Sequence, residues 1–200
     1  MNTFLSNKQN KARTIFAKRR MEIHLTILYL LLMISVLIET QNSDELLART
    51  LGGLVGGAVE GLLSDVVVID HGSVDQTHRV ADQAGCIFLQ DQTLIDGFRR
   101  ARSEWFLFLE PGARLLDGWI EPVATHIERM QGPACFTRSH THRRPFLSRV
   151  FSPGNPLADG LLISKRQSMA LFNPGKKAVD LARGLAMKRL RAEIIPAALK

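Results

Sequence analysis

Cysteine is nearly missing from this chain of 200 residues: Cys86 and Cys135 stand in separate segments with no C-x-x-C spacing. That excludes a disulfide scaffold, a zinc ribbon and a thioredoxin-type redox pair, and leaves any chemistry to oxygen and nitrogen groups. Apolar length is also short. The run at 23–38 has 16 residues, against the ~20 of a spanning helix, contains His24, Thr26 and Ser35, and is followed by no small-residue cleavage site. No internal repeat is present. The glycine-rich stretch Leu51-Gly52-Gly53-Leu54-Val55-Gly56-Gly57 lies inside a helix pattern rather than directly after a strand, so it is no dinucleotide fingerprint. What is present is a folding composition, 46% apolar and 22% charged, sized for one domain or one domain with a short appendage.

The net charge of +7 is unevenly spread. Residues 1–22 carry +5, residues 23–160 carry −5, and residues 161–200 carry +7. An acidic body with basic ends argues against nucleic-acid reading and toward contact with anionic phosphates or a membrane surface, a solvated basic tail being the plainer alternative.

Along the chain, residues 1–22 read as a basic leader. Two readings compete for the apolar run at 23–38. Lys18, Arg19 and Arg20 ahead of it imitate a single-pass membrane anchor, whereas Met33 to Ile38, ending in Glu39-Thr40-Gln41-Asn42, is how a buried parallel strand meets its loop. Met33 then also serves as an alternative start, with residues 1–32 outside the protein. Ser43, Asp44 and Glu45 open a helix that the glycines at 52–57 weaken and end. Val66 to Ile69 is a second buried strand with Asp70 at its carboxyl end.

Helix over 74–84, strand over 86–89, helix over 93–101 and strand over 105–109 follow. Later elements are a helix over 120–130, a short apolar stretch at 134–137, a loop over 138–155, a strand over 160–164 and a basic helix over 178–193. Unalternating strands separated by helices imply an α/β fold with a parallel sheet covered on both faces. Ligands bind beyond the carboxyl ends of such strands. Here those ends carry Thr40 and Asn42, Asp70 to Ser73, and Glu110.

Three loops carry a resemblance by order and spacing. The first strand is followed by Glu39-Thr40-Gln41-Asn42-Ser43, and the second by Asp70-His71-Gly72-Ser73-Val74-Asp75-Gln76-Thr77. The third strand, preceded by Gly97 and Ala101, ends in Glu110-Pro111-Gly112. Over about residues 33–120 the chain resembles the nucleotide-sugar half of a family 2 glycosyltransferase. The family loops are of Pro-Thr-Tyr-Asn-Glu, Asp-Asp-Gly-Ser-Thr-Asp-Gly-Thr and Asp-x-Asp type, and five of the eight positions of the second agree. The chain departs from the pattern where His71 replaces the second Asp and where Glu110 is the one carboxylate left of Asp-x-Asp.

The resemblance implies a GT-A fold, Rossmann-like, with a mostly parallel sheet and helices on both faces. It implies a bacterial enzyme that transfers a sugar, with inversion, from a nucleoside-diphosphate sugar to a glycan or lipid-carrier acceptor. Thr40, Asn42, Asp70, Ser73 and Asp75 would contact the nucleotide, Glu110 would hold Mg²⁺ or Mn²⁺, and Asp159 would serve as the catalytic base. A carboxylate at a strand end accepts from an imide N–H or a ribose hydroxyl, and a cation neutralises a diphosphate leaving group.

The arginines at 138, 143, 144 and 149 read either as a clamp for a diphosphate or an anionic acceptor lipid or, equally, as a solvated loop. His140 and His142, in a basic loop without nearby acids, read as solvated surface. The expected domains are 1–32 as leader and apolar run, 33–165 as the transferase-like domain and 166–200 as a basic helical tail. The expected location is cytoplasmic, at the inner face of the membrane. A decayed nucleotide-sugar binder and a membrane-anchored, non-enzymatic basic protein are the alternatives.

Overall fold

A computed structural model describes residues 32–140 and 155–197. The chain divides by compactness into Met1–Leu32 and Met33–Lys200, and the elements below belong to the second unit. Its first half alternates strand and helix. It runs β1 (Ile34–Thr40), α1 (Asp44–Gly52), α2 (Val55–Val59), β2 (Leu63–Asp70), α3 (Thr77–Gln83), β3 (Ile87–Gln90), α4 (Leu94–Arg100) and β4 (Trp105–Phe108). The second half holds β5 (Arg114–Leu115), α5 (Ile120–Glu128), β6 (Ala134–Arg138), β7 (Leu161–Ser164), α6 (Lys165–Leu171), α7 (Ala178–Ala182) and β8 (Lys188–Ile195).

One sheet of eight strands, ordered β3-β2-β1-β4-β7-β6-β8-β5, unites both halves. β3, β2, β1 and β4 are mutually parallel, as the unalternating apolar runs require. β1 lies between β2 and β4, where Ile34, Val36, Leu37 and Ile38 are all but inaccessible. Burial of each such side chain contributes about 1.5–3 kcal/mol. β7 enters antiparallel beside β4, β6 is antiparallel to β7, β8 is parallel to β6, and β5 closes the far edge antiparallel to β8. The architecture is thus a mixed α/β fold with a mostly parallel sheet.

Packing follows the alternation of each strand. Leu37, Ile69, Phe106, Phe108 and Ile163 turn to one face, where Phe98 of α4 and Leu181 of α7 meet them in the main core. Gly97 allows α4 to lie close, since a Cβ there would stand 2.6 Å from Ile69 Cδ1. On the other face Trp105 meets His126 of α5 edge-on, with ring centroids 6.1 Å apart. There α2 fits over Trp119 because Gly57 has no side chain; a Cβ would stand 2.5 Å from the indole.

Two expectations are corrected. The helix expected over 178–193 is α7 alone, ended at Gly184 with φ of 77°, and β8 follows it. Leu190, Ala192 and Ile194 of β8 are buried at alternate positions. The segment 166–200 is therefore no helical tail, because it supplies an internal strand. The anchor expected over 23–38 is also corrected, since residues 34–38 form the central strand β1 and their burial needs the sheet. Residues 23–31 lie outside the described ones. No helix among the described residues is long and apolar enough to cross a membrane.

Candidate functional site

Strand direction alone assembles the site. β1, β2 and β4 run the same way, so Thr40, Asp70 and the turn after Phe108 reach one edge of the sheet. β7 runs against β4 with Leu161 opposite Phe108, which brings the residues before Leu161 to that edge. β6 and β8 run with β4, and their ends, Arg138 and Ile195, arrive there too. A cavity of about 690 Å³ opens at this edge, within the range of small-ligand sites.

The first two loops are fastened to each other. Asn42 N donates to Ser73 Oγ (2.8 Å), and Val74 N donates to Asn42 Oδ1 (2.9 Å). Ser43 N donates to Thr77 Oγ1 (3.1 Å), and Asp44 N donates to Asp75 Oδ2 (3.2 Å). Asp70, almost fully buried, accepts from Ser73 N (2.8 Å) and from Ser73 Oγ. Asp75 also accepts from Thr77 N (3.0 Å). Burial would raise the Asp75 carboxyl, but the hydrogen bonds from the Thr77 side chain and backbone and the Asp44 amide outweigh it and hold its pKa below the usual value. These bonds tie the two loops together at the strand ends.

Of the expected nucleotide contacts, Thr40 lines the cavity, whereas Asn42, Asp70, Ser73 and Asp75 are absent from its lining and take part in the bonds within and between the two loops. Thr40 is 3% exposed, and its Oγ1 has no hydrogen-bond partner among the described residues. Glu39 lines the cavity as well, with both oxygens engaged. Oε1 meets His71 Nε2 at 3.1 Å, and Oε2 accepts from Ala178 N at 2.6 Å. His71, which stands where the resemblance expected a second Asp, therefore pairs with Glu39 at the cavity lining.

Glu110 sits in a turn tied to α1. Gly112 N donates to Leu46 O (3.0 Å) and to Thr50 Oγ1 (2.8 Å), and Ala113 N donates to Glu110 O (3.0 Å). Gly112 has φ of 96°, a conformation that favours glycine. The half-buried Glu110 carboxylate lines the cavity and accepts from the Asn155 side-chain amide. Burial pushes its pKa up, against the lowering effects of the Asn155 hydrogen bond and the Arg138 charge.

Asp159 is absent from the cavity lining. Its Oδ1 accepts from Arg138 Nε, and its Oδ2 pairs with Arg189 Nη2 at 3.2 Å. Arg189 is itself anchored on Phe136 O (3.0 Å). Arg138, 15% exposed at its side chain, lines the cavity together with the exposed Arg49 and Lys177. Arg143, Arg144, Arg149 and His142 lie outside the described residues. His140 is at the surface, 3.5 Å from Glu193.

The expected divalent cation is tested by this donor set. Among the described residues no group of three His, Cys, Asp or Glu side chains is placed to hold a metal. Glu39 has no oxygen left over, and Glu110 stands near the positive charge of Arg138. Mg²⁺ is usually held by one or two carboxylates plus phosphates, and here three cationic side chains share the cavity with two acids. The described residues do not fit a metal site.

Sequence reasoning missed Arg49, Lys177, Glu39 and Asn155 as cavity residues. Their signals were slight: a strand-end acid, a turn with Asn173-Pro174-Gly175 before Lys177, and an asparagine before a proline.

The sequence matches no protein-family model and no curated protein. The fold is similar to solved structures. Staphylococcus aureus TarS 1–349 aligns at TM-score 0.59 and 15% identity over 82% of this chain and 60% of that one. Glucosyl-3-phosphoglycerate synthase from Mycobacterium tuberculosis, in complex with Mn²⁺, uridine diphosphate and glucosyl-3-phosphoglycerate, aligns at 0.56 and 14% over 84% of this chain and 72% of that one. A further mycobacterial protein aligns at 0.58 and 15% over 84% and 68%. This likeness is one of fold, and the fold is that of GT-A-type glycosyltransferases. The chain spans 60% of the TarS fragment.

Proposed function

We propose that this protein binds a nucleoside-diphosphate sugar at the strand-end cavity and transfers the sugar to a hydroxyl of an acceptor glycan or lipid carrier. The observation that carries the reading is the convergence of β1, β4, β6 and β8 ends on one cavity lined by Arg49, Arg138, Lys177 and Thr40, whose buried hydroxyl has no partner among the described residues. A diphosphate supplies the opposite charge, and the fastened loops at 40–44 and 70–77 form a fixed rest for the nucleoside. The similar synthase was solved with uridine diphosphate, which makes that nucleotide the first to test.

In the transfer, the acceptor oxygen bonds to the anomeric carbon while the bond from that carbon to the β-phosphate oxygen breaks. The nucleoside diphosphate leaves with the bonding pair, and the acceptor proton passes to a base. Attack opposite the leaving group inverts the centre. Of the two acids lining the cavity, Glu39 has both oxygens engaged, and Glu110 keeps Oε2 without a partner among the described residues. Glu110 is therefore assigned as the proton acceptor. Asp159 is reassigned as a positioning residue, since its two oxygens hold arginines.

A nucleotide-sugar binder without transfer activity is the second reading, favoured by the neutralisation of Asp159 by two guanidinium groups. One assay separates them: uridine diphosphate released by the full chain from uridine-diphosphate sugars, with and without acceptor extracts. Release that Glu110→Gln lowers at least tenfold supports transfer. Binding without release supports the binder, and no nucleotide binding by the folded chain overturns both.

A further inference from the structure

The mismatch between this cavity and a divalent cation points to a different way of holding phosphate. We propose that the cavity grips the diphosphate of its ligand with protein cations, Arg138 foremost, and the buried Thr40 hydroxyl, and needs no divalent metal; this rests on the nucleotide-binding reading above.

Arg138 is built for the task in a way that Arg49 and Lys177 are not. Its Nε is held by Asp159, which is itself braced by Arg189 on the Phe136 carbonyl. That chain of bonds fixes the guanidinium plane where little solvent reaches it and leaves Nη1 and Nη2 without a partner among the described residues. Two parallel N–H donors on a rigid plane match two oxygens of a phosphate, which a lysine cannot do.

Thr40 is the second, independent observation. Its hydroxyl, buried without a partner among the described residues, is a cost to the protein, and Thr40 is one of the residues that line the same cavity. Rotation about its Cα–Cβ bond brings the hydroxyl to a ligand oxygen there. Arg49 and Lys177 add charge from the exposed rim, so that three cations answer the negative charges of a diphosphate. A metal brought beside Arg138 meets like charge and one available carboxylate oxygen.

The test is calorimetry on the full chain, with uridine diphosphate in EDTA and in Mn²⁺, and with inorganic pyrophosphate in EDTA. Both probes are expected to bind in EDTA, with Mn²⁺ changing the nucleotide affinity by no more than about twofold. Arg138→Gln is expected to weaken both by about ten- to a hundredfold, the size of a charge-assisted hydrogen-bond pair. Arg138→Lys should restore only part of the loss. Thr40→Val removes a hydroxyl to which no described residue bonds, so it should fold as the parent does and still bind more weakly.

Nucleotide binding that appears only with Mn²⁺ overturns this inference and leaves the proposed function standing. Pyrophosphate binding without nucleotide binding supports the cationic grip and overturns the nucleotide reading. Failure of both probes on a folded chain overturns both. Unchanged affinity in Arg138→Gln and Thr40→Val overturns the assigned grip. If Arg138→Gln fails to fold by circular dichroism, Arg138→Lys and Thr40→Val decide.

Discussion

Glu110 and Asp75 lean in opposite directions, and each leaves its own mark on stability against pH. The folded state raises the Glu110 pKa, so between the unfolded and folded values the native protein binds more protons than the unfolded chain. Stability therefore falls as pH rises through that window, which begins at the ordinary carboxylate range. Glu110→Gln should match the parent at acid pH and exceed it at neutral pH, read as urea midpoints across a pH series. A variant less stable than the parent at every pH counts against this.

Asp75 is lowered in the folded state, so its contribution is complete above the unfolded value and is lost as pH falls through the folded one. Asp75→Asn should cost stability at neutral pH and remove part of the acid-side loss, an outcome that equal acid slopes in parent and variant contradict. At this scale the sequence placed Asp70, Asn42, Ser73 and Asp75 in the loops at the strand ends, where the structure also has them. It did not show that they bond to one another, because mutual hydrogen bonds between loops 31 residues apart leave no spacing signal.

Among elements, the parallel half was legible and the other was not. β1, β2 and β4 announce themselves as short apolar runs that end in polar loops. β8 reads Lys-Arg-Leu-Arg-Ala-Glu-Ile-Ile, rich in residues that favour helices, and its period of two is hidden among them. Pairing with β6, more than 50 residues earlier, decides the matter. Ile194→Ala, at a fully buried position of this strand, is expected to cost about 2–5 kcal/mol in unfolding free energy. A loss below about 0.5 kcal/mol, the scale of surface substitutions, would place Ile194 outside the core.

The glycines at 52–57 were legible as helix breakers, but the close seat of Gly57 on Trp119 was not, since it depends on a contact across the fold. Gly57→Ala should destabilise by about 1–3 kcal/mol through overpacking, in spite of alanine's higher helix propensity, as denaturant melts will tell.

Over the whole molecule, the separation of charge along the chain becomes a separation in space only in part. The acidic body still places Arg49 and Arg138 at the cavity, and the basic carboxyl-terminal segment adds Lys177. Because cations dominate the lining, affinity for uridine diphosphate should fall steadily with added salt. A flat response would assign the binding energy to the nucleoside instead.

The sheet has one more consequence, for how this molecule behaves toward its own copies. Its two outermost strands are β3, of four residues, and β5, of two. An outermost strand offers a row of backbone donors and acceptors on which another chain can add, and long flat rows are where aggregation begins. The longest strands, β1, β2 and β8, all lie in the interior of the order. The cover is unequal, since β5 pairs with β8 at Ile194 and Ile195 alone. Among the described residues a passing copy therefore meets the four-residue β3 on one side and, on the other, the Lys188-Arg189-Leu190-Arg191 start of β8, whose charges oppose the addition of a strand.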